Sequence, residues 1–350
     1  MQLACNGFGE VKRAASPDSG NTDTVRDLRG LATQITDGRA IVTNMTYDNA
    51  GRIKTKTFPA AAAENITYTY DNVTAPNKGK GRVTKIASQS VVIDLVYDAR
   101  GNITSDKRTI ATKVHTTLYA YDLADRVVQI TYPSGRIVNY VRDTTGRITS
   151  VTTKKNAAAV VATLASAIDY MPVSTLVKSF NYGNGLNDWN TYTLDYETDV
   201  LGTYNGAANV CNAAHSRTDS LNLTNIWDNV TPANNQTLAY SPANRLSNAT
   251  GAYGTQSWTY DLLGNRLTQN STPVGGALTS RVYTYPAASN KLTNVKIGAA
   301  TERAFTYDGA GNITQDARSG VNYVYAYNKR NRLNTVTVAG SLKGTYTYSG

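Results

Sequence analysis

The dipeptide Tyr-Asp occurs six times in this chain, at Tyr47-Asp48, Tyr70-Asp71, Tyr97-Asp98, Tyr121-Asp122, Tyr260-Asp261 and Tyr307-Asp308. The first four copies are spaced by 23, 27 and 24 residues. With 24 Tyr and 21 Asp in 350 residues, chance would place only about 1.4 such pairs. Degenerate copies carry the rhythm on: Arg142-Asp143, Tyr170-Met171, Trp227-Asp228, Tyr240-Ser241, Tyr285-Pro286, Tyr327-Asn328 and Tyr348-Ser349. A fixed period of this length marks a repeat architecture, in which each unit packs against its sequence neighbours.

Three positions after the Asp, or after its replacement, stand Gly51, Gly101, Asp125, Gly146, Asn244, Gly264, Gly311 and Asn331. Each is a residue that tolerates a left-handed backbone. A tight hairpin made of a type I turn and a bulge needs such a residue at its end. The Asp at its start accepts hydrogen bonds from N–H groups a few residues on. Asp-x-x-Gly therefore reads as a hairpin turn. Next comes Arg or Asn and then usually an aliphatic residue, as in Arg52-Ile53, Asn102-Ile103, Arg126-Val127 and Arg147-Ile148. Asn265-Arg266-Leu267 departs by one position, which predicts a local bulge.

The flanking segments alternate with the period of two expected of strands. Ile66, Tyr68 and Tyr70 fall on one face and Thr67 and Thr69 on the other, and Trp258 with Tyr260 or Phe305 with Tyr307 repeat the step. Composition agrees: Tyr and the 48 Thr favour strands, and Asp outnumbers Glu by 21 to 4, which favours turns over helices. The fold class is all-β, a succession of antiparallel hairpins forming a curved, spiralling sheet. Helices across Thr67–Ile86 or Ser257–Leu267 would contradict it. Aromatic residues of adjacent hairpins are expected to form cross-strand rows.

The Tyr-Asp-x-x-Gly-Arg-Ile pattern resembles the signature of RHS, or YD-repeat, proteins. So do Ser16-Pro17-Asp18-Ser19-Gly20, Thr131-Tyr132-Pro133-Ser134-Gly135-Arg136 and Tyr182-Gly183-Asn184-Gly185-Leu186. The resemblance spans residues 1–350 as one continuous repeat region and is weakest around 197–225. It implies a β-strip that winds into a hollow shell. In bacterial relatives and insecticidal toxin complexes the shell encloses a C-terminal toxic polypeptide, and teneurins use a similar shell in adhesion. The structural repeat residues it singles out are Tyr47, Asp48, Gly51, Arg52, Tyr70, Asp71, Tyr97, Asp98, Gly101, Tyr121, Asp122, Asp143, Gly146, Arg147, Tyr260, Asp261, Gly264, Tyr307, Asp308 and Gly311. Family shells are several-fold longer, and no Asp-Pro dipeptide of the kind tied to self-cleavage occurs here. The expectation is a fragment of a longer protein, lacking its C-terminal core and toxin.

Little in the sequence points to chemistry. The net charge of +10 comes from scattered residues, with no run or helical face to bind nucleic acid. His115 and His215 stand apart from each other and from Cys5 and Cys211, so no metal site is expected. His115 is placed at a strand edge and His215 in a loop. Gly183-Asn184-Gly185 lacks the setting of a phosphate loop and reads as a turn. The apolar run Ala157–Ile168 is too short to span a bilayer and reads as a loop followed by a strand. No signal peptide is visible. The Arg after each turn is expected to pair with the Asp of the neighbouring turn.

These readings predict a non-enzymatic chain without cofactors. Its partners would be further repeats of the same parent chain and an encapsulated C-terminal toxin polypeptide, in a protein secreted or displayed at the cell surface and used in interbacterial competition. The alternative is a cell-surface carbohydrate-binding or adhesion module, with glycans as partners of the Tyr and Arg rows.

Overall fold

A computed structural model describes residues 1–348; Ser349 and Gly350, the end of the last degenerate copy, lie outside the described residues. Among the described residues 31 strands follow one another, interrupted only by the short 3-10 turns Ala62–Glu64 and Pro232–Asn234. Thr67–Ile86 holds the end of strand Ile66–Tyr70, a loop and most of strand Val83–Ala87; Ser257–Leu267 joins strands Gly254–Tyr260 and Arg266–Thr272. The chain is all-β, and its strands pair antiparallel with their sequence neighbours.

Two compact units divide it. The first comprises Met1–Thr116 together with the segment from Arg281 onward, and the second is Thr117–Ser280. In the first, an unbroken series of antiparallel pairings runs from Gln2–Cys5 to Ile103–Ile110. A second series runs from Thr279–Thr284 to Ser341–Thr345. In the second unit the pairings run from Lys113–Tyr121 to Arg266–Thr272. Because every pairing joins strands next to each other in sequence, each hairpin costs only local loop closure.

Period-two alternation decides which face is covered. Along Ile66–Tyr70 the isoleucine and both tyrosines are half-buried while Thr67 and Thr69 are exposed. Met45, Phe58, Val91, Ile93, Tyr97, Val295 and Phe305 are the buried apolar residues of the first unit, and Val138 and Ala249 those of the second. The opposite face is polar. There Thr46 and Thr55, Thr259 and Thr268, and Thr306 and Thr314 join hydroxyls across neighbouring strands at 2.6, 2.7 and 2.8 Å.

Some positions differ from the sequence reading. His215 lies in strand Ala208–Arg217 rather than in a loop, with Nδ1 3.2 Å from the Asp199 carbonyl. The bulge expected at Asn265-Arg266 is present as a register shift between Thr259 and Tyr260, but it is the one the regular turns share, as between Thr46 and Tyr47: Tyr260 faces Arg266 as Tyr47 faces Ile53, so Arg266 occupies the aliphatic place. Trp227-Asp228 does not open a tight turn. It leads into the 3-10 turn Pro232–Asn234, where the Asn235 side chain accepts the Asp228 N–H, as Asn65 accepts that of Phe58. The motif aromatics Tyr68, Trp258 and Tyr325 face Ile86, Gln269 and Val336 across the strands rather than other rings, and the close ring pair Phe180 and Tyr182 lies along a single strand. The stretch Ala157–Ile168 is a loop followed by strand Ala162–Tyr170.

Candidate functional site

The repeated turn is a compact set of hydrogen bonds. At Asp48 the backbone N–H donates to the Arg52 carbonyl and the Gly51 N–H donates back to the Asp48 carbonyl. The Asp48 Oδ1 accepts the N–H groups of Ala50 and Arg52, both at 2.9 Å, and its Oδ2 accepts from the Arg52 guanidinium at 2.7 Å. Asp98, Asp122, Asp143, Asp261 and Asp308 accept the N–H four residues on in the same way. Where Arg is replaced by Asn, as at Asn102, Asn265 and Asn312, the amide takes the second carboxylate oxygen. All eight residues three places after the Asp or its replacement carry positive φ, from +55° at Asn244 to +95° at Gly101 and Gly264. Asp71 opens a wider loop that closes on Arg82. The same cradle moves the carboxyl pKa: Asp48 is held below the usual 3.8, first by the Arg52 N–H and then by its guanidinium.

The arginines do not mainly bridge to the next turn. Arg126 and Arg147 bind the Asp of their own turn, at 2.8 and 3.0 Å, as Arg52 binds Asp48. Arg52 adds the neighbouring carboxylate, Asp71, at 2.7 Å. Own-turn pairing wins because the Asp side chain already points at the N–H of that arginine, four residues away.

What links one turn to the next on the same edge of the sheet is the tyrosine. The Tyr70 hydroxyl donates to the Ile53 carbonyl at 2.7 Å, and Tyr97 to Val83 and Tyr260 to Leu246 at 2.7 and 2.8 Å. Tyr47, Tyr170, Tyr192, Tyr307, Tyr327 and Tyr348 do the same to Ala32, Ile148, Val177, Leu292, Ile313 and Leu333. The residue before the acceptor often lays its cation over the ring. Arg52 sits 4.3 Å from the Tyr70 centroid, Arg147 5.1 Å from Tyr170 and Arg332 4.4 Å from Tyr348. A basic-aliphatic pair thus receives a tyrosine from the following turn, one residue by cation–π attraction and the other through its carbonyl. Where tyrosine is replaced, a guanidinium reaches the same acceptor: Arg142 donates to the Val127 carbonyl and Arg217 to that of Thr198, both at 3.2 Å. Only the substitution pattern Arg142-Asp143 signals this clasp in the sequence.

Turns on the opposite edge of the first unit meet turns of its later segment. Asp18 accepts from the Ser289 hydroxyl at 2.6 Å and from the Asn290 N–H at 2.8 Å, and these bonds, the hydroxyl foremost, lower its pKa. Arg39, held by Asp37 at 2.7 Å, donates to the Asn328 carbonyl at 2.9 Å. The Glu64 carboxylate accepts the N–H groups of Lys329 and Arg330 at 3.1 and 3.2 Å. Gly38 and Gly309 pass so closely that a Cβ on either would collide with the other's carbonyl oxygen. Bonds spanning some 265 to 290 residues of sequence therefore lock this seam.

Turns, clasps and seam together define an architectural repeat, and the sequence comparisons agree. A family model described as teneurin YD-shell matches residues 23–201, and the chain belongs to that family of RHS, or YD-repeat, proteins. Among solved structures it is similar to TcdB2-TccC3, also in complex with Cdc42, with TM-score 0.82 and 15% identity, over 94% of this chain and 19% of that one. A Photorhabdus luminescens Tc holotoxin pore structure matches equally, with TM-score 0.82 and 15% identity over 94% of this chain and 18% of that one. The chain thus spans under a fifth of the length of the chains it matches. No curated protein sequence matches it significantly. Its fold is that of a YD-shell wall. Among the described residues no group of three His, Cys, Asp or Glu is gathered as metal ligands would be, and no helix is long and apolar enough to cross a membrane.

Proposed function

We propose that this chain forms part of a shell that encloses and delivers a toxic polypeptide in competition between bacteria, as one stretch of a longer secreted or surface-displayed protein. In this reading residues 1–350 are one continuous repeat region, and the motif residues from Tyr47 to Gly311 are its hinges and clasps. One observation carries the proposal. Over 94% of its length the chain follows the fold of the TcdB2-TccC3 shell, with a TM-score of 0.82. The clasps support it as well, since arginine cations already lie over the faces of Tyr70, Tyr170 and Tyr348 on which a sugar ring would stack.

The test is native purification of the parent protein from the producing cell, followed by protease challenge. A second polypeptide should co-purify, resist protease while the shell is folded, and be cleaved once the shell is unfolded. Recovery without an enclosed polypeptide, or with one cleaved equally in both states, overturns the proposal.

A further inference from the structure

The motif tyrosine Tyr70 spends its hydroxyl on a backbone carbonyl, but Tyr68, two places before it on the same face, does not. Its ring stands on the covered face beside a cavity of about 310 Å³ in the first unit, walled by Ile66, Ile86, Val91 and Ile93 and edged by Ser88, Arg108 and Arg330. Among the described residues the Tyr68 hydroxyl has no hydrogen-bond partner, and burial pushes its pKa above the ordinary value against the pull of Arg330, so it stays a proton donor at neutral pH. Arg330 is fixed in place by the seam: Nε and Nη2 both donate to the Glu64 carbonyl, while Nη1 has no hydrogen-bond partner among the described residues. The Ser88 hydroxyl is turned away from the cavity's needs, since it donates to the Val91 carbonyl at 3.3 Å. Arg108 is oriented by Asp106 at 2.9 Å.

We infer that this cavity is a binding site for a small organic carboxylate with an apolar or aromatic body. Its unspent groups, the Tyr68 hydroxyl and Arg330 Nη1, are both donors, and a carboxylate accepts from both at once. The four aliphatic walls take the body of the ligand, and the volume lies at the lower end for small-molecule sites. A cation is excluded by the two guanidinium groups. A neutral apolar ligand would leave the phenol and the guanidinium unsatisfied. The carboxylate belongs either to a free metabolite-sized acid or to the C-terminus of a polypeptide ending in an apolar residue.

Phenylacetate and phenylacetamide, alike in shape and different in charge, separate the possibilities in calorimetry or saturation-transfer NMR on the full chain. Phenylacetate is expected to bind, the amide at least roughly tenfold more weakly, as loss of a charged hydrogen-bond partner implies. Tyr68→Phe, whose hydroxyl holds nothing in the fold, is expected to weaken phenylacetate several-fold with an unchanged melting temperature. Arg330→Lys should retain part of the binding that Arg330→Ala loses. Displacement of phenylacetate by a short peptide ending in Phe, but not by its C-terminal amide, identifies a polypeptide C-terminus as an accepted source; failure to displace identifies the free acid. Equal binding of acid and amide, no binding of the acid at millimolar concentration, or no effect of Tyr68→Phe overturns the inference.

Discussion

At the scale of single residues, the left-handed position of each turn sets a cost that depends on the side chain. Gly51 has φ of +78° and an added Cβ would meet nothing nearer than Leu31 Cδ1 at 3.8 Å, so the cost of Gly51→Ala is almost wholly backbone. Urea unfolding is expected to show a loss of about 1–2 kcal/mol. Leu221 holds the same place in the divergent stretch with φ of +62°, which a branched residue rarely adopts. Leu221→Gly is therefore expected to stabilise the chain by about 1 kcal/mol; a loss of stability would contradict this account. Asp-x-x-Gly was legible because the whole device lies within five consecutive residues. Leu221 and Tyr196, both at positive φ, were not, since nothing in their chemistry advertises that conformation.

At the scale of the hairpin, the clasp is the stabilising contact. Tyr97→Phe keeps the ring under Arg82 but leaves the Val83 carbonyl without its hydroxyl partner, so a loss of about 1 kcal/mol is expected in denaturant titration. No change would mean that water replaces the hydroxyl at no cost. Arg142 tests the converse. Its guanidinium makes the clasp to Val127, yet its Nε is buried without a partner. Arg142→Tyr is expected to hold or raise the melting temperature where Arg142→Ala lowers it, and an equal fall for both would contradict the substitution. The strands themselves could be read from alternation, as at Ile66, Tyr68 and Tyr70. The clasp could not, because donor and acceptor are commonly 14 to 17 residues apart and meet only once the register of two strands is set. That the bulge expected at Asn265-Arg266 is common to the regular turns was hidden for the same reason: a single sequence shows the residue types, whereas pairing with Tyr260 decides the register.

Across the whole molecule, the turn carboxylates act together. Asp48, Asp122, Asp143 and Asp261 all have pKa values below 3.8, the foremost causes being the Arg52 N–H, the Arg126 N–H, the Thr145 hydroxyl and the Asn265 amide respectively. Below that pH the unfolded chain binds protons that the folded chain does not, so stability falls as pH falls; above about pH 5 their contribution is complete. The melting temperature is expected to stay level from about pH 8 to 5 and to drop steadily below about pH 4, and a level curve down to strong acid would show that the cradles contribute nothing. The seam gives a second test. Gly309→Ala drives a methyl into the Gly38 carbonyl, whereas Gly7→Ala meets nothing within 4 Å. Hydrogen exchange is expected to speed up around residues 16–64 and 286–330 in Gly309→Ala alone. The seam was invisible in the sequence, since Asp18 and Ser289 carry no mark of each other.

The clasps point backwards: Tyr70, Tyr97 and Tyr260 each anchor on a carbonyl of the strand made just before their own. During synthesis on the ribosome each newly emerged hairpin therefore finds its receptor already in place, and growth proceeds by accretion from the first residue onward. Glu64 and Asp18, by contrast, must wait for some 265 further residues before their partners exist, which leaves the early half of the first unit open to its surroundings while those residues are added.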